Sequence, residues 1–106
     1  MMAFGFPAYH EQIVTNVPPN INIELSLLNT LRSFGWGPSF DNTGITASTG
    51  AATKSIGEKI IISLVDGGAT KIRSECALKS QCADFGKNQK NVEMILSELP
   101  NHYVQG

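Results

Sequence analysis

The stretch EKIIISLVDGGATKIRSECA, Glu58 to Ala77, decides how the rest of the chain is read. Ile60, Ile61, Ile62, Leu64 and Val65 predict a strand over 58–65, since branched apolar side chains fit a pleated, packed surface. Asp66-Gly67-Gly68 is a hairpin signal, because glycine accepts the positive φ of tight turns. The return, 69–77, alternates Thr70, Ile72, Ser74 and Cys76 against Lys71, Arg73 and Glu75. The two strands are therefore antiparallel neighbours with one face on a core and one in water. Ile60, Ile62 and Leu64 belong to the core face. Lys59, Ile61, Ser63 and Val65 share the other face with Lys71, Arg73 and Glu75.

Upstream, Ile45, Ala47 and Thr49 alternate with Thr46 and Ser48, which predicts a strand over 45–49. Asp41-Asn42-Thr43-Gly44 is a turn before it. A short strand is expected over 36–40, weakened by Pro38. A first strand is expected over 9–17, stopped by Pro18-Pro19. Between these lies a helix over 20–34, capped by Asn20 or Asn22, with Leu27, Leu28, Leu31 and Phe34 as its apolar stripe. Gly35 suits the left-handed position after its last turn. Downstream, Val92, Ile95, Leu96 and Leu99 predict a second helix over 87–99, ended by Pro100.

The order strand, helix, four strands, helix (β-α-β-β-β-β-α) gives an α+β fold. The economical packing is two layers: an antiparallel sheet with both helices on one face. Residues 1–8 read as a flexible lead-in, 9–100 as a single domain and 101–106 as a polar tail. Leu78, or Phe4 and Phe6 folding back, would be the cover for the charged sheet face if that face is covered at all.

Composition narrows the function classes. The 106 residues are 42% hydrophobic and 16% charged, which suits one domain with a real core and argues against disorder. Eight basic against nine acidic residues leave no field to steer the chain onto nucleic acid. No stretch reaches the ~18 apolar residues of a membrane span, and the N-terminal residues have no signal-peptide pattern, so a soluble, cytoplasmic protein is expected. In that reducing compartment Cys76 and Cys82 are expected as free thiols. A local disulfide stays open if their Cα atoms come within about 7 Å.

Individual motifs favour structure over chemistry. Asp84-Phe85-Gly86 spells a kinase magnesium motif, but the other kinase motifs are missing, and it reads as a helix entry. Asn88, one turn before Val92, is expected to brace that entry with its amide. Between Gly50 and Gly57 the spacing is wrong for a phosphate loop, and Glu58 stands where the lysine should be. His10 and His102 lie far apart in sequence and with no metal-ligand spacing, so no metal and no cofactor is expected. Trp36 reads as a core or rim anchor.

Several short motifs occur together in a familiar order. They are Gly35-Trp36, Gly57-Glu58-Lys59-Ile60, Asp66-Gly67-Gly68, Arg73-Ser74-Glu75 and Asp84-Phe85-Gly86-Lys87-Asn88. In these the chain resembles a family of small, uncharacterised bacterial domains. The resemblance implies a fold similar to the TATA-box-binding-protein type and carries no assigned activity. Fold analogy alone implies no DNA binding.

The leading expectation is a non-catalytic binding or interaction module. Its surface is the open sheet face of Lys59, Ile61, Ser63, Val65, Lys71, Arg73 and Glu75, and its partner a second copy or another protein. One alternative is a small enzyme using Cys76, Cys82 or the Asp84–Asn88 loop. Another is nucleic-acid binding through the sheet, with the charge balance against it.

Overall fold

In a computed structural model of the chain, residues 9–51, 57–65, 69–77 and 86–106 are described. Five strands and two helices follow the expected order: β1 (Tyr9–Ile13), α1 (Ile23–Ser33), β2 (Ser39–Asp41), β3 (Gly44–Ser48), β4 (Glu58–Leu64), β5 (Thr70–Cys76) and α2 (Lys87–Glu98). The sheet is antiparallel throughout, in the order β1-β5-β4-β3-β2. The chain's first strand thus closes one edge beside its last. The Asp66-Gly67-Gly68 turn lies outside the described residues, but the backbone N–H of Val65 donates to Ala69 O at 2.8 Å on either side of it.

Register explains the two faces. Ile45 pairs with Ile62, which pairs with Ile72, and all three are buried in one row under the helices. Leu27, Leu28 and Leu31 of α1 meet them together with Val92 and Ile95 of α2 and Leu99 beyond it. Both helices therefore pack on one sheet face, as their single apolar stripes require. Trp36 is buried in the same core, with its ring 4.7 Å from that of Phe34. It precedes the strand and does not form part of it, because its N–H donates to Leu31 O and its carbonyl accepts from Ser48 N.

Several boundaries move for physical reasons. The first strand ends at Ile13, well before the prolines, and Val14 turns inward to pack against the core. Asn22, not Asn20, caps α1: its Oδ1 accepts from Leu25 N at 3.1 Å. Gly35 follows the helix at φ 75°, the left-handed turn expected there. Leu64 is 61% exposed, a correction to its place among the core residues, because β4 runs past the start of α1. Leu96 is only partly buried; Ile95 carries that turn of α2 into the core. Pro100 does not stop the chain abruptly, and residues Leu99–His102 tighten into a 3-10 turn.

The tail does not hang free. Tyr103 packs against the core. Val104 O accepts from Asn22 N at 2.7 Å, and Gly106 N donates to Asn20 O at 2.8 Å. Val104 N donates to the buried Ser26 hydroxyl at 2.8 Å. These bonds tie the C-terminal residues to the entry of α1. Among the described residues no helix is long and apolar enough to cross a membrane.

Candidate functional site: the open sheet face

The face turned away from the helices carries the expected residues in cross-strand rows. Glu11, Arg73, Ile61, Thr46 and Ser39 form the central row, one residue from each strand. Tyr9, Glu75, Lys59 and Ser48 form a second, and Ile13, Lys71 and Ser63 a third. Ile61, Ser63, Lys71, Arg73 and Glu75 are half-buried, Lys59 is exposed, and Val65 lies just past the end of β4. The structure thus gathers the named residues on one surface. No described element covers it. Phe4, Phe6 and Leu78, the suggested covers, lie outside the described residues.

Charges on this face are organised by Arg73. Its Nε donates to Glu75 Oε1 at 2.7 Å and its Nη1 to Glu11 Oε2 at 2.8 Å. The guanidinium carbon stands 4.0 Å from the centroid of the Tyr9 ring, a stacking that Arg favours over Lys. Lys71 Nζ approaches Glu11 Oε2 at 3.3 Å. The hydrogen bond from Arg73, helped by Lys71, holds the Glu11 carboxyl below the ordinary carboxylate range. The bonds from Glu75 and Glu11 raise the guanidinium in turn. Tyr9 and Glu11, both on β1, are members of this site that the sequence reading missed. Alternation in 9–13 is weak, and only the β1–β5 register reveals which of its residues share the charged face.

A second polar cluster sits at the end of the sheet where α2 begins, on the helix side. Ser74 Oγ donates to Asn88 Oδ1 at 2.7 Å, and both residues are fully buried. Asn91 Nδ2 donates to Glu58 Oε1 at 2.9 Å and lies 3.2 Å from Ser74 Oγ. Thr49 Oγ1 donates to the same Glu58 oxygen at 3.0 Å and accepts from Glu58 N at 2.8 Å. Asn88 braces the helix entry with bonds that include β5 side chains, and residues 78–84, whose backbone is its expected partner, lie outside the described residues. Gly86 is the N-cap of α2 at φ 83°, a conformation that a β-branched residue would adopt only under strain. Asp84 and Phe85 lie outside the described residues.

Cys76 corrects one expectation: it is disulfide-bonded, not a free thiol. It ends β5 on the buried side, with its sulfur 3.7 Å from Asn88 Nδ2. Cys82, the chain's other cysteine, lies outside the described residues. A disulfide sulfur offers no thiolate for nucleophilic attack, and disulfides persist in oxidising surroundings, so Cys76 supports neither the enzyme alternative nor a cytoplasmic location.

His10 faces Gln12 along β1, whereas His102 stands 3.4 Å from Glu98 at the end of α2. Among the described residues no three His, Cys, Asp or Glu side chains stand together as metal ligands would. Compared with models of known families, with curated proteins and with solved structures, the chain matches none.

Proposed function

We propose that the protein is a non-catalytic interaction module whose open sheet face docks a second copy of the chain. The observation that carries this reading is the Arg73-centred platform. Tyr9, Arg73, Glu11 and Glu75 hold one another in place, so the surface is ordered before any partner arrives and loses little side-chain freedom on contact. Ile61 lies in the middle of the central row, and Tyr9 and Ile13 are 44% and 41% exposed at its β1 side. Apolar groups at the centre with charges around them are the usual anatomy of a protein interface.

Charge selects the kind of partner. Lys59, Lys71 and Arg73 are nearly balanced by Glu11 and Glu75 on the face. Such a surface matches a mixed-sign surface, of which a two-fold-related copy of itself is the simplest case. It gives little attraction for a polyanion, which weighs against nucleic acid. Strand spacing and rise make the platform about 20 Å by 20 Å. Two such faces bury on the order of 1,000 Å² in total, so the association belongs to the weak, transient class.

The likeness to the uncharacterised bacterial family is part of this proposal, supported by the shared order of elements. Sedimentation velocity over a concentration series tests the docking. The parent chain should show a weight that rises with concentration, and Ile61→Glu should remain a monomer with unchanged thermal stability. A parent that stays monomeric at millimolar concentration sinks the reading.

A further inference from the structure

The helix side of the sheet holds a separate cavity of about 510 Å³, where β4 runs past the start of α1. Its apolar surface comes from Phe40, Ile45, Ile62 and Leu64, and Glu24 lines it from the first turn of α1. Phe40 and Leu64 are 51% and 61% exposed, the two most exposed large apolar side chains among the described residues. They come from strands at opposite sides of β3, yet both face this one space. Thr70 also lines it. This residue is 7% exposed, and its hydroxyl has no hydrogen-bond partner among the described residues.

We propose that this cavity binds a small hydrophobic amine, with its hydrocarbon part against Phe40, Ile62 and Leu64 and its ammonium group at the Glu24 carboxylate. Three features select that chemistry. The volume falls in the range of small-molecule sites, and the exposed apolar surface is far too small for a protein interface. Glu24 is the charged side chain that α1 brings to this space, and no Lys or Arg is among the described lining residues, so the site attracts cations and repels carboxylates. The Thr70 hydroxyl supplies a polar contact beside the apolar side chains. This site lies on the opposite side of the sheet from the platform, so either proposal can fail alone.

The test is titration of ¹⁵N-labelled protein with 4-phenylbutylamine, 4-phenylbutanol and 4-phenylbutyrate. The amine should shift the amides of Phe40, Gly44, Ile62, Leu64 and Thr70 in a saturable way. The alcohol should bind the same place roughly two- to fivefold more weakly, and the carboxylate more weakly still. Glu24→Gln should narrow the gap between amine and alcohol. Leu64→Lys, at an exposed position, should abolish amine binding while leaving distant amides unmoved. The proposal is overturned if no saturable shifts appear at these amides, if amine and carboxylate bind equally well, or if Glu24→Gln leaves the preference intact.

Discussion

Ser74 and Asn88, fourteen residues apart, meet as a fully buried pair: the serine hydroxyl of β5 donates to the asparagine side-chain carbonyl of α2 at 2.7 Å. The bond locks the start of the second helix to the last strand. A buried polar atom left without its partner loses hydration and gains nothing in return. Asn88→Ala should therefore destabilise the fold by about 1–3 kcal/mol in urea unfolding. Asn88→Asp should be no better than the alanine variant, because it would bury a carboxylate close to Glu58. Full stability in both variants would show that the pair does not hold the helix entry.

Leu64 and Ile62 lie two residues apart on one strand, on the same face, yet only Ile62 is under the helices. Ile62→Ala should cost about 2–5 kcal/mol, the range for emptying a core position. Leu64→Ala should stay within about 0.5–1 kcal/mol, as expected at the surface. Equal losses in chemical denaturation would mean that the core extends further along β4 than described.

Glu11 links the charged platform to pH. Its folded-state pKa lies below its ordinary value of 4.5, chiefly through the hydrogen bond from Arg73. A depressed carboxylate stabilises the fold above the unfolded pKa and loses that contribution as pH falls through the folded one. The stability gap between the parent and Glu11→Gln should thus be present at pH 7 and shrink steadily below about pH 4.5. A gap that is unchanged at pH 3 would contradict the pairing.

Ser26 is the buried anchor of the C-terminal residues, donating to Asn22 O at 2.7 Å while accepting from Val104 N at 2.8 Å. Ser26→Ala should cost about 1–2 kcal/mol and raise hydrogen exchange at Val104 and Gly106. Unchanged exchange there would mean that the tail is held by Tyr103 alone.

Much of this architecture was legible in residues 58–77 alone. Strict alternation in β5 and an apolar run in β4 set the pairing, the faces and the place of the helices. What was not legible depended on how far each element reaches. Nothing in Leu64 itself says that α1 starts short of covering it. Cys76 gave no sign of its bond, since six residues of spacing allow either state. Glu11 and Tyr9 joined the site only through strand order, which brings the first strand beside the last. Val14 shows the same limit: its N–H still donates to Thr70 O at 2.8 Å, but β1 has ended one residue before it and its side chain packs against the core.

The claim that the open face docks a second copy is tested most directly by following amide chemical shifts as ¹⁵N-labelled protein is diluted from millimolar to micromolar concentration. The account predicts progressive shifts at Tyr9, Glu11, Lys59, Ile61, Lys71, Arg73 and Glu75, abolished in Ile61→Glu. Spectra that do not change on dilution, or shifts confined to the helix side around Phe40 and Leu64, would contradict it.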